Sequence, residues 1–395
     1  MRESFNAFRS SLWFAAAIFC WASSAMAEIA IPMAYLRQEI QAPPVLSNLD
    51  PIPEDRGIAG AQVALADTKT TGSFMGHDYS LAIASVEPGG DFLGAARAAL
   101  ATSKILFVDA QPQDILAVAD LPEAKDALLF NVASGASQLR DVDCRINVLH
   151  TMAEDTMRSD ALMQVLRARR WTRTVLIVGP KPEDQVFAER LRASAQKFGV
   201  EILASKNWTF NTDLRRAAGR ELPLFTQDFP DHDVLLIADE ANDFGRYVQD
   251  NTWLPRPIAG SDGLHGEGWA PVLEQWGAVQ LQNRFEKTAG REMGSRDYAA
   301  WIALRTIGEA VTRTNSADPV TLRKFILSRD FALDGFKGRS LSYRDWDGQL
   351  RQPMPVVNAR ALVELAPLEG YLHQNNEMDT LGLDRPESGC TAFGG

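Results

Sequence analysis

The repeated alternation of short apolar runs with longer helical patterns constrains this chain more than any other feature. Strand-like runs at 28–36, 78–84, 104–108 and 127–131 are separated by a Pro-rich connector at 42–53 and by helical patterns over 56–67, 92–102 and 112–119. Antiparallel neighbours need only a tight turn, whereas strands separated by a helix return to the sheet in the same direction through βαβ crossovers. A parallel sheet is therefore expected. After a loop at 131–143 the alternation starts again, with helices over 155–168 and 183–198, strands at 174–178, 200–204, 233–238 and 256–259, and a helix near 242–250. The predicted class is α/β, with two doubly wound parallel-sheet lobes in one chain.

From Trp276 the pattern changes. The spacing of Tyr298, Ala299, Ile302, Ala303, Ile307 and Ala310 predicts a long helix over 295–314, and a second helix is expected over 320–328. Beyond Phe331 the chain reads as extended and turn-rich, with a hairpin turn at Asp345-Trp346-Asp347-Gly348. Read instead as a calcium loop with Gly348 sixth, that stretch would place Tyr343 first and Met354 twelfth, where oxygen ligands are required.

Arg2 and Arg9, an apolar run at 12–21 and Ala25-Met26-Ala27 have the order of a secretory signal, with small residues at the cleavage site. Cleavage is expected after Ala27, giving a soluble periplasmic protein; the apolar run is too short to span a membrane. Cys20 does not stand directly after the cleavage site, so no lipid anchor is expected there. Removing Arg2, Arg9 and Glu3 takes the 40 basic and 51 acidic side chains to 38 and 50, net −12. Such an excess repels phosphate backbones and excludes nucleic acid as the expected partner.

The histidines at 77, 150, 232, 265 and 373 have no metal-ligand spacing, and no phosphate loop, dinucleotide fingerprint or nucleophile elbow occurs. No cofactor and no catalytic set is predicted. Asn207-Trp208-Thr209 matches a glycosylation sequon, but Trp208 reads as a packing residue.

Two exported α/β halves have a simple physical use: a ligand binds between the carboxyl ends of the two sheets, and a hinge closes over it. Over nearly the whole mature chain, the sequence resembles the type I periplasmic binding proteins of ABC importers, in particular the leucine/isoleucine/valine-binding class. The resemblance is carried by the opening strand at 28–36, the loop Asn131-Val132-Ala133-Ser134-Gly135-Ala136-Ser137, Thr151, and the helix DYAAWIALRTIGEAV at 297–311. The segments LRDVDCRINVLHT, EQWGAVQLQNRF, DYAAWIALRTIGEAVTRT, WDGQLRQPM and EGYLHQNNEMDTLGLDRPESGC are similar to those of binding proteins associated with pyrroloquinoline-quinone-dependent alcohol oxidation.

This resemblance implies the two-lobed fold with a multi-crossover hinge, lobe 1 taking 28–148 with 275–330 and lobe 2 taking 149–274 with 331–395. It implies a small-molecule ligand, an ABC permease as partner and a link to a quinoprotein dehydrogenase system. It also implies a ligand site at Ser134, Gly135 and Ser137, whose hydroxyl and N–H groups suit a carboxylate, with Thr151 at the crossover. From lobe 2, Asp239, Glu240, Ser261 and Asp262 follow predicted strands, and Glu240 or Asp262 would pair a ligand cation; Asp239 equally suits a helix cap. The aromatic lid of the class is not reproduced at 180–184, and Trp253 and Trp269 flank Ser261-Asp262 as ligand covers or core residues.

Other readings remain open. Ser134 with His150 is the one pair to test for a hydrolase, and Asp141 and Asp143 with Asp239, Glu240 and Asp262 would be the carboxylates of a calcium or lanthanide protein. A third is an accessory protein of a quinoprotein dehydrogenase system. Export leaves only Cys144 and Cys390, which predicts a disulfide between them.

Overall fold

The computed structural model describes residues 28–41, 52–210 and 217–394. The export signal expected at 1–27 and most of the connector expected at 42–53 lie outside the described residues. Strands β1 (Ile29–Gln38), β2 (His77–Val86), β3 (Ile105–Asp109), β4 (Leu128–Asn131) and β5 (Val148–His150) form an all-parallel sheet in the order β2-β1-β3-β4-β5. Helices α1 (Ile58–Met75), α2 (Phe92–Thr102) and α3 (Pro112–Ala119) make the crossovers. β3 and β4 are buried throughout because helices cover both faces, so they read as continuous apolar runs, whereas the edge strand β2 is partly exposed. β5 escaped the sequence reading because three residues carry no period.

The second sheet is built from α4 (Asp155–Ala168), β6 (Arg173–Val178), α5 (Pro182–Phe198), β7 (Glu201–Asn207), α6 (Ala218–Thr226), β8 (Val234–Ala238), α7 (Gly245–Val248) and β9 (Ile258–Gly260). It too is parallel, in the order β7-β6-β8-β9, with one core packed under α4 and α5 and another under α6 and α7. Trp208 lies in the latter, its ring stacked 4.1 Å from that of Phe244.

The remaining elements are β10 (His265–Gly266), α8 (Ala278–Ala289), α9 (Ser295–Thr314), α10 (Pro319–Ile326), β11 (Leu333–Asp334), β12 (Ser340–Tyr343), β13 (Leu350–Arg351), β14 (Met354–Asn358) and β15 (Ala361–Ala366). β12 and β13 pair across the turn expected at 345–348, where Gly348 takes the left-handed conformation (φ 71°). α6 and α8 were not expected.

All three expected lobe boundaries move: β5 belongs whole to the first sheet and Leu149 to its core, so the first crossing follows His150 instead of Val148. Trp269 and Leu273 belong to the core of lobe 1, so the second crossing precedes Trp269 instead of following 274. Phe331, Leu333, Leu341, Tyr343 and Leu350 also pack in that core, whereas Met354 and Val356 pack in lobe 2. The third crossing therefore lies between Leu350 and Met354, not at 330/331. The cause is tertiary: Tyr343 hydrogen-bonds Thr306 of α9 through its hydroxyl (2.9 Å), holding the hairpin against lobe 1.

The close approach of α1 and α9 sets the first turn of α9 over the carboxyl end of β1. A side chain at Gly60 would meet the backbone oxygen of Asp297 at 1.9 Å, so only glycine permits this contact. Cys144, in the loop before β5, is joined by a disulfide to Cys390 of the C-terminal tail, with a Cα separation of 5.6 Å.

Candidate ligand site

At the carboxyl end of β4, Asn131 organises the Ser/Gly loop. Its Oδ1 accepts from the backbone N–H of Ser134 (2.8 Å), while its Nδ2 donates to the Ser134 carbonyl (2.8 Å) and to His150 Nδ1 (3.1 Å). Gly135 faces lobe 2 closely: its carbonyl accepts from the N–H of Asp155, and a Cβ there would lie 2.3 Å from Asp155 Oδ1. The Ser137 hydroxyl meets that of Thr156 at 3.0 Å, and Thr151 donates to the Ala299 carbonyl at 2.8 Å. Ser137 and Thr151 are thus engaged in fastening the lobes together, and the Ser134 hydroxyl accepts from the N–H of Ala136.

The lobe 2 residues form a chain of polar contacts from that same loop. Arg158, one turn into α4, reaches Asp155 (3.4 Å) and forms a two-pronged pair with Glu240 (2.8 and 3.3 Å). Glu240 accepts from the Ser261 hydroxyl (2.8 Å), which in turn accepts from the N–H of Asp239 (2.9 Å). Burial opposes the charge on Glu240, but Arg158 and Ser261 outweigh it and hold its pKa below the ordinary carboxylate value. Burial likewise works against charged Arg158, and Glu240, Glu267 and Asp155 together raise its pKa. Asp155 is raised, chiefly by burial. Asp239 accepts from the N–H groups of Asp243, Phe244 and Gly245 and so caps the turn leading into α7. Asp262 accepts from the N–H of Gly263 and turns the chain after β9.

Among the expected site residues, the structure therefore links Ser134, Gly135 and Ser137 to Glu240, Ser261 and Asp239 through Asp155, Thr156 and Arg158. Trp269 is buried at 1% exposure and stacks 4.7 Å from Tyr298, as core; Trp253 is 58% exposed.

A second group lies beside it and was missed. The order β2-β1-β3 makes the gap between the carboxyl ends of β1 and β3 the switch point of the sheet, where open α/β sheets take ligands. Arg37 and Asp109 are cross-strand neighbours there. Asp109 accepts from the Tyr35 hydroxyl (2.9 Å) and pairs with Arg296 in the first turn of α9 (3.1 Å). Gly57, just before α1, is left-handed (φ 83°), and a Cβ there would collide with the Tyr35 hydroxyl at 2.2 Å. Its N–H donates to Asp297 (2.7 Å), which also takes two bonds from Arg291 (2.8 and 2.9 Å). Arg56 stands between these groups, and its Nε is buried with no partner among the described residues. Burial and the charge of Arg296 pull its pKa down to about 10. No sequence motif marks these residues; the only signal is an arginine at each end of the Pro-rich connector. Ser295, adjacent to Arg296, donates to Glu267, so the first turn of α9 touches both groups.

This arrangement is two parallel-sheet lobes, three crossovers, and polar side chains gathered where the carboxyl ends of both sheets meet. The fold is that of the type I periplasmic binding proteins. A branched-chain amino acid ABC transporter periplasmic ligand-binding protein from Burkholderia xenovorans superposes with a TM-score of 0.70 at 14% identity, covering 92% of this chain and 100% of that one. An ABC transporter substrate-binding protein from Desulfitobacterium hafniense, solved in complex with Leu, gives 0.65 at 17% identity, over 85% and 99%. The leucine-, isoleucine-, valine-, threonine- and alanine-binding protein of Brucella ovis, in a closed conformation, gives 0.65 at 13% identity, over 87% and 93%. No family model and no curated protein matches the chain.

The geometry also bears on the other readings. Asn131 stands between Ser134 and His150, and burial holds the His150 pKa well below the ordinary imidazole value. Asp141 accepts from the N–H of Gly389 in the C-terminal tail, apart from Asp239 and Glu240. Among the described residues no group of three or more His, Cys, Asp or Glu is placed to hold a metal ion. A cavity of about 380 Å³ beside the second crossover is bounded by Glu267, Trp269, Ser295 and Val357. Another, of about 520 Å³, lies at the far end of α4 near Arg169 and Trp171, roughly 20 Å along the helix from Asp155 at 1.5 Å per residue.

Proposed function

We propose that this chain is the exported substrate-binding component of an ABC importer, without chemistry of its own, holding a small polar solute between its lobes in the periplasm. The observation that carries this reading is the convergence of both sheets' carboxyl ends on one polar network, built from the β4 loop, the start of α4 and the first turn of α9. The three solved relatives described above are named as amino acid or substrate-binding proteins of ABC transporters, which supports the same role. Among the described residues no helix is long and apolar enough to cross a membrane; in this reading a separate permease carries the solute across. Small-angle scattering tests the proposal: the retained or added solute should reduce the radius of gyration as the lobes close. A broad metabolite screen with no compaction and no thermal stabilisation would overturn it.

Within this role the ligand is an amino acid or a related small molecule, and the import system serves alcohol catabolism by quinoproteins. The second statement rests on the sequence segments alone. Recovery of a permease in a pull-down from periplasm and membrane supports import; recovery of a dehydrogenase or its cytochrome instead favours the accessory role.

A further inference from the structure

We propose that the C-terminal tail is a further tie between the lobes beside the three crossovers, a strap latched by the Cys144–Cys390 disulfide, and that the latched strap restrains the hinge while reduction lets it open wider. This goes beyond the binding-protein reading, since it concerns the range of lobe motion in the empty protein. The tail is fixed first to lobe 2. Leu381 is buried in the core under α4 and α5. The Gly382 N–H donates to Asp160 of α4 (2.9 Å), and its carbonyl accepts from Lys197 of α5 (3.1 Å), which also pairs with Asp160 (2.9 Å). A few residues later the same tail is fixed to lobe 1. The Ser388 hydroxyl donates to the Arg140 carbonyl (3.0 Å) and the Gly389 N–H to Asp141, both in the loop after β4. Phe393 packs against the lobe 1 core beside Gly348. Cys390 is bonded to Cys144, in a loop that Arg145 and Asn147 fasten to Asp120, Ala119 and Ala124 of the same lobe.

Gly382 and Ser388 are thus anchors on opposite lobes, and the chain between them passes the hinge. Arg351, within the third crossover, pairs with Asp379 (2.7 Å), and Arg344 of the β12–β13 turn donates to the carbonyls of Leu381 and Leu383 (2.5 and 2.9 Å). Between the anchors the strap is wound: the N–H groups of Glu387 and Ser388 both donate to the Asp384 carbonyl (2.9 and 3.0 Å). Even fully extended, the six residues from Gly382 to Ser388 reach at most about 20 Å. The turn makes the span shorter, so parting the lobes at this point must first unwind it. Beyond the turn, the noncovalent hold on lobe 1 rests on the Ser388 and Gly389 hydrogen bonds and the Phe393 ring, contacts that open reversibly. The covalent bond closes that exit. Cys144 is 5% exposed and Cys390 is half-buried, so a dithiol reductant attacks the Cys390 Sγ. Two electrons and two protons pass to the protein: the S–S bond breaks, both cysteines end as thiols, and the dithiol ends as a disulfide.

The test uses the full mature chain without ligand, carrying dyes on unnatural residues placed at the exposed positions of Phe74 in lobe 1 and Val186 in lobe 2. Single-molecule energy transfer reads the distance between the lobes, and circular dichroism checks that each sample is folded. Dithiothreitol should shift the distribution to longer distances, and Cys390→Ser should match the reduced protein and not respond to the reagent. Insertion of eight Gly and Ser residues between Arg385 and Pro386, with the disulfide intact, adds up to about 27 Å of reach. It should give the same shift at little cost in stability, because a longer loop is only slightly harder to close. Coincident distributions for the oxidised, reduced and lengthened proteins would overturn the strap. So would a shift on reduction that the lengthened strap fails to reproduce, since the disulfide would then act on stability and not as a tie. Two free thiols in unreduced protein taken from the periplasm would overturn it as well. Shortening by added solute, read between the same dyes, tests the binding-protein reading separately, so the two fail independently.

Discussion

Gly60→Ala tests the contact that places the first turn of α9. The added Cβ would sit 1.9 Å from the Asp297 carbonyl oxygen, 2.6 Å from its carbon and 2.9 Å from its Cα. All three atoms are backbone, so no rotamer change relieves the collision and the helices must separate. Overpacking of this kind costs about 1–3 kcal/mol, and an immovable backbone places it near the upper end. Alanine returns about 0.8–1.0 kcal/mol through helix propensity. The expected net loss is about 2 kcal/mol. Gly308→Ala, on the same helix pair, provides the comparison: its Cβ would meet the Cγ2 of Thr68 at 2.8 Å, a longer contact and to a side chain instead of the backbone. There the loss should be smaller than at Gly60. Urea unfolding followed by tryptophan emission is the assay, since Trp269 and Trp301 are both buried in the lobe 1 core. Moving Asp297 also breaks its bond to the N–H of Gly57, so Gly60→Ala should weaken ligand binding while Gly308→Ala should not. A Gly60→Ala protein as stable as its parent would refute the reasoning, because the helices would then have slack that the contact denies.

Lys337→Met should be more stable than the parent at neutral pH. The ammonium is fully buried, with a hydrogen bond to Gln352 and the Tyr298 ring 4.2 Å away, and burial holds its pKa well below 10.5. Since the unfolded chain binds the proton more tightly, parental stability should rise with pH up to about 10.5; a parent–variant difference that does not shrink over that range argues against the depressed pKa. Reduction of the Cys144–Cys390 disulfide, or Cys390→Ser, should lower the urea midpoint, up to about 5 kcal/mol in the chain-entropy model for a separation of 246 residues; no shift would mean that the tail is held by its other contacts. Glu240→Gln leaves Arg158 without its two-pronged partner and should cost about 1.5–3 kcal/mol. A double-mutant cycle with Arg158→Met should recover much of that loss, and simple additivity would remove the pair from the account.

The sequence by itself determined the α/β class, the two parallel sheets and most of the helices. Apolar runs such as 105–108 and 234–238 and amphipathic spacing such as that of 295–314 are local properties, and local properties survive in a linear reading. It also singled out Cys144 with Cys390, and the loops holding Ser134 and Glu240, because residues after strands in such sheets lie on the ligand side. Only the tertiary structure decided where the chain crosses between lobes, since membership of β11, β12 and β13 in lobe 1 depends on what Leu341 and Tyr343 touch. The individual roles were decided there as well. Asp239 caps a turn, Ser137 and Thr151 fasten the hinge, Asp155 joins the lobes through its N–H to the Gly135 carbonyl, and Arg158 ties Asp155 to Glu240 within lobe 2. The group of Tyr35, Arg56, Asp109 and Arg296 could not be read in advance, because up to 261 positions separate its members along the chain and their electrostatic relation exists only once β1, β3 and α9 share one end of a sheet.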